Sequence, residues 1–145
     1  MGTQELAGRF GKWIDDALSV KLPEGIAAFH FNMYDGPETH EAEIVGCPSY
    51  DPDDSDWACD DIFISEAPRF GIPHPEVGQS WEQGLDTVVR MLNAYLATDA
   101  AGARRMRESQ AVSVGFVDGD LHLLWRRVNQ RDPASRVSDQ GLGSN

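Results

Sequence analysis

Cations are scarce in this chain. Only 12 Lys and Arg stand against 24 Asp and Glu, a formal charge of −12 at pH 7 over 145 residues. Such a surface repels phosphate backbones, which argues against nucleic-acid binding. It favours a basic protein partner, because complementary potentials speed encounter. Long apolar runs are also missing. No stretch reaches the ~18 residues of a membrane span and no charged-then-apolar leader opens the chain, so a soluble, cytoplasmic protein without membrane contact is expected. Cysteine is limited to Cys47 and Cys59. Two thiols make no disulfide framework, and without clustered histidines they make no zinc pattern, so two reduced thiols are expected. There is no nucleophile elbow, no glycine-rich loop opening a helix and no H-E-x-x-H. The expectation is therefore no catalytic residue, no cofactor and no metal.

What is present suffices for a packed core: 41% hydrophobic residues, with four tryptophans. The length fits one domain, placed at residues 1–130. Residues 131–145 have nothing to bury and read as a frayed tail.

The most unusual stretch is Tyr50–Phe63, Y-D-P-D-D-S-D-W-A-C-D-D-I-F, with six aspartates and no positive charge. Like charges at that density disfavour a regular element. It reads as a surface loop pinned by Trp57 and by the apolar run Ile62–Ile64. D-P-D-D-S-D opens like an EF-hand loop, with Asp51, Asp53 and Ser55 at the first three oxygen positions. The pattern then fails, since Asp56 stands where glycine is needed and Ile62 where a bidentate glutamate belongs.

Around this loop the elements read clearly. Residues 3–19 carry an apolar face of Leu6, Phe10, Trp13, Ile14, Ala17 and Leu18 at helical spacing, with Thr3 as the cap. Residues 26–34 and 39–47 form a hairpin around Asp35-Gly36-Pro37-Glu38. Pairing Tyr34 with Thr39 places Phe29, Phe31 and Met33 on one face with His40, Ala42 and Ile44, and makes His30 and Glu43 neighbours on the other. Asp61–Glu66 reads as a short strand. Pro68, Gly71, Pro73, Pro75 and Gly78 mark residues 67–79 as an irregular crossing segment. Ser80 and Gln83 form a capping box for a helix through residue 97, and residues 100–108 add a short basic helical stretch. Two strands flank Asp118-Gly119, a pair suited to a two-residue type I′ turn joining Val117 to Asp120. The fold class is α+β: a mainly antiparallel sheet of two hairpins plus a short strand, with two principal helices on one face.

Two segments, D-D-S-D-W-A-C-D-D (Asp53–Asp61) and V-G-F-V-D-G-D-L (Val114–Leu121), resemble short bacterial proteins that look like immunity partners of polymorphic or contact-delivered toxins. The resemblance implies an inhibitor acting by direct binding and carries over no catalytic residue. It agrees with an acidic protein-binding domain whose contacts to a basic toxin domain come from Glu41, Glu43, Asp51, Asp53, Asp54, Asp56, Trp57, Asp60 and Asp61. An exposed aromatic inside a charged rim would concentrate binding energy there. Two rival readings remain. One is a small enzyme or ligand-binding domain using a pocket beside residues 67–79 with His30, His74 or His122. The other is a homodimeric regulatory module.

Overall fold

The computed structural model describes residues 3–127; the expected tail, 131–145, lies outside them. The elements run α1 (Thr3–Ala17), β1 (Ala28–Asp35), β2 (Thr39–Cys47), a 3-10 turn (Ser55–Cys59), β3 (Phe63–Ile64), β4 (Phe70–Pro73), α2 (His74–Val77), α3 (Trp81–Leu96), α4 (Ala101–Arg107), β5 (Ala111–Phe116) and β6 (His122–Arg126). The class is α+β, as the sequence implies. The six strands form one sheet in the order β3-β2-β1-β5-β6, with β4 also paired to β2.

β1 owes its central place to its composition. Phe29, Phe31 and Met33 alternate toward the helices, and all three are fully buried. They meet Phe10 and Ile14 of α1, Val88 and Leu92 of α3, Met106 of α4, and Val112 and Val114 of β5 in one core. Burying side chains of this size stabilises by roughly 1.5–3 kcal/mol each, which explains why the apolar stripes of the helices decide the packing. Ser80 caps α3 with the expected reciprocal box to Gln83. Thr3 is the first helical residue of α1.

The sheet departs from expectation in four places. β1 pairs with β5 in parallel, Phe29 opposite Val112 and Phe31 opposite Val114, so the sheet is mixed. In the first hairpin Tyr34 opposes Glu41, not Thr39. The slip is two residues, so every side chain keeps its face, because the pleat repeats every second residue. The expected irregular segment contains strand β4, antiparallel to residues 39–42 of β2. Pro73 is tolerated because β4 is an edge, where a missing N–H breaks no ladder. In the last hairpin Ala111 opposes Arg126 and Val112 opposes Trp125 as expected, but a bulge between Val112 and Ser113 shifts the rest by one. The turn is not type I′, because Gly25 and Gly78 are the only described residues with positive φ. Instead Gly119 N–H donates to Phe116 O at 2.9 Å, closing a four-residue turn.

Candidate functional site

Behind the sheet, away from the helices, lies a second and smaller apolar cluster of Ala28, Val45, Cys47, Trp57 and Ala111, with Tyr50, Ala58 and Leu121 against it. Trp57 is its centre, only 5% exposed, edge-on to Tyr50 at 5.4 Å and to His30 at 6.3 Å. It is the anchor of the acidic loop, not an exposed contact, which corrects its place among the partner-binding residues. The loop shapes itself locally. Asp51 accepts from Asp53 N–H at 2.9 Å, and Asp54 caps the 3-10 turn by accepting from Asp56 N–H at 3.0 Å. Asp51, Asp53, Asp54, Asp56, Asp60 and Asp61 are all exposed.

Between this loop and the turn of the last hairpin opens a cleft of about 410 Å³, lined by Asp56, Asp61 and Asp120, with His30, Asn32 and Gly115 of the sheet among the other walls. No lysine or arginine among the described residues lines it. Gly115 lets the chain close over the sheet here, since a Cβ would stand 2.5 Å from the Asp120 carbonyl oxygen. His30 forms the floor, its Nδ1 2.7 Å from Ser113 Oγ. Burial lowers its pKa to about 4, against a smaller opposing effect of a hydrogen bond with Asn32. The ring is thus neutral at pH 7 and does not offset the carboxylates. His30 opposes Val45, and Glu43 opposes Asn32; the expected His30–Glu43 pair does not form. Cys47 is buried beside the loop. Desolvation, then the charges of Asp61 and Asp60, push its thiol up to about 12, so it is an inert core group. Cys59 is exposed and also free.

Glu41 and Glu43 have their own partner. Arg69 Nη1 lies 3.5 Å from Glu41 and its Nε 3.9 Å from Glu43. Its guanidinium also stacks 3.6 Å over the Tyr34 ring. The Tyr34 hydroxyl donates to Glu43 at 2.9 Å. Burial and this carboxylate raise the phenol pKa. The two glutamates are half-buried and partly neutralised inside the chain, so they extend the acidic face less than their sequence suggests.

A different group gathers at the hairpin end of the sheet, facing the helices. The ring of His40 is fully buried and that of His74 nearly so, with centroids 4.4 Å apart. Asp35 Oδ1 lies 3.3 Å from His40 Nδ1 and 3.6 Å from His74 Nε2. Neither nitrogen has a hydrogen-bond partner. His122 is elsewhere, beside a more apolar cleft of about 550 Å³ that Trp81, Leu85 and Phe116 line. Neither cleft holds two of His30, His74 and His122. Sequence reasoning put these histidines on separate elements and missed the Asp35–His40–His74 group. One signal was legible: His40 alternates with Ala42 and Ile44 on the apolar face, where a polar ring needs a reason.

Comparison with family models, curated proteins and solved structures finds no match to this chain.

Proposed function

We propose that the chain is a non-enzymatic binding protein that receives a basic protein partner on the face formed by the Asp51–Asp61 loop. The observation that carries this reading is the arrangement of the loop. Six exposed aspartates are held over the sheet by a buried tryptophan, and two of them, with Asp120, wall a cleft that no described lysine or arginine lines. A preorganised negative surface steers a cationic partner into place and suffers little ordering cost on binding. The cleft is sized for one or two lysine or arginine side chains. An arginine there would find carboxylates able to accept in pairs. The most specific form of the proposal is an immunity protein that covers the active surface of a basic toxin domain. Its support is the resemblance of Asp53–Asp61 and Val114–Leu121 to such partners, together with the acidic balance of the chain.

The test takes the product of the neighbouring reading frame as the candidate partner. Replacing Asp53, Asp54 and Asp56 by Asn should slow its association at least about tenfold at low ionic strength and flatten the salt dependence, with dissociation changed less. Unchanged association kinetics would overturn the acidic face as the docking surface. A neighbouring frame that encodes no basic domain would overturn the immunity assignment.

A further inference from the structure

We propose that Asp35, His40 and His74 form a binding site for one divalent first-row transition-metal ion of the zinc type. The strand register brings the three together. Asp35 opposes His40 across the first hairpin, and His40 opposes Ile72, two residues before His74. All three side chains therefore emerge at one end of the sheet on its helix-covered face.

The hydrogen bonding of His40 fixes the chemistry. Its Nε2 lies 2.8 Å from the Gly78 carbonyl oxygen, which can only accept, so this nitrogen carries a proton, and in the neutral tautomer that this contact selects Nδ1 presents a lone pair. What Nδ1 faces at 3.3 Å is the Asp35 carboxylate, a second electron-pair donor. His74 Nε2 faces the same oxygen at 3.6 Å. An imidazolium–carboxylate pair would put a proton between Nδ1 and Asp35, yet that contact lacks hydrogen-bond geometry, and His74 Nε2 is likewise without a partner. A cation among the three atoms turns their mutual repulsion into three bonds.

The spacing fits. Ligands at about 2.0–2.1 Å from a tetrahedral zinc stand about 3.3–3.4 Å from one another. The two measured edges are 3.3 and 3.6 Å, and all three atoms lie within 4.8 Å of one another. Two imidazoles and one carboxylate suit zinc and its neighbours, whereas calcium and magnesium require a shell of oxygens. The Gly78 carbonyl supplies the outer contact that orients a ligating histidine. Two glycines shape the surroundings of this ring. Gly78 adopts φ +107°, and a Cβ on Gly84 of α3 would stand 2.6 Å from His40 Cγ. Asp35 is half exposed, which leaves the ion reachable from solvent.

The test titrates the chelator-stripped full chain with Co²⁺ and Zn²⁺ alone. One Co²⁺ should bind per chain with tetrahedral visible absorption and yield to Zn²⁺. Zinc should raise the melting temperature, and nitrogen NMR should place the metal on His40 Nδ1 and His74 Nε2. Removing the His40 ring would open the core, so Asp35→Asn and His74→Gln carry the test; each should weaken binding at least about tenfold. The loop variant (Asp53, Asp54 and Asp56 to Asn) and Cys59→Ser should bind the metal unchanged, which separates this site from the partner-docking face. No uptake of either metal, or uptake insensitive to both ligand variants, would overturn the proposal. So would a His40 Nδ1 resonance that excess zinc leaves unmoved.

Discussion

A single histidine couples the stability of the loop-bearing face to pH. His30 in the folded chain resists protonation down to about 4, whereas its ordinary pKa is 6.5. Above 6.5 the ring is neutral in both states and its burial is unopposed. Below that value the unfolded chain takes up a proton that the folded chain refuses, so stability falls as pH drops from 6.5 toward 4. The whole window amounts to something on the order of 3 kcal/mol. His30→Asn, which keeps a polar atom toward Ser113, should flatten that part of the stability–pH curve, measured by urea unfolding at successive pH values. A curve as steep as that of the unmodified chain would show that another group carries the dependence. Trp57 teaches the complementary lesson. The sequence offers it both as the pin of its loop and as a candidate contact, and the ring is found as the pin, buried beneath six exposed aspartates.

At the scale of elements, glycines record where parts approach closely. α3 passes over the His40 ring at Gly84, whereas a Cβ added to Gly8 of α1 would meet nothing within 4 Å. Gly84→Ala should therefore cost about 1–3 kcal/mol by forcing the ring aside. Gly8→Ala should gain up to about 1 kcal/mol by helix propensity alone. Denaturant unfolding of the two variants checks the opposite signs. A comparable junction binds α1, α3 and α4, where the Tyr95 hydroxyl and Gly102 N–H both donate to Asp15 Oδ1, at 2.5 and 2.9 Å. Arg107 of α4 donates to the Leu96 and Thr98 carbonyls at the end of α3. Arg107 thus satisfies carbonyls that the end of α3 leaves open. The helices and the faces of the first hairpin were legible because periodicity and capping are local signals. Strand β4 was not, because Gly71 and Pro73 punctuate it and its pairing depends on an edge supplied by β2. The bulge in β5–β6 was equally hidden, since nothing in the alternation marks the unpaired residue. For the metal-ligand group, the anomaly at His40 was readable, but its partners Asp35 and His74 depend on a register that a two-residue slip obscured.

For the whole molecule, charge is the governing quantity. A net −12 repels itself, and added salt screens that repulsion over about 10 Å at 0.1 M. The melting temperature should rise between about 10 and 200 mM sodium chloride. In the Asp53, Asp54 and Asp56 to Asn variant the rise should be smaller. Equal rises in calorimetry would place the strain elsewhere on the surface. Parallel pairing of β1 with β5 is the large-scale feature that no local pattern announces: His30 and Ser113, which touch, are 83 residues apart in sequence. That separation also sets an order of events in synthesis. β1 can zip to β2 almost at once, but its other flank stays bare until residues 111–116 have cleared the ribosome. The growing chain must therefore carry an open, sticky ribbon while the residues between β2 and β5 are made, and its concentration of acidic groups is well suited to keep neighbouring copies apart until β5 closes that flank.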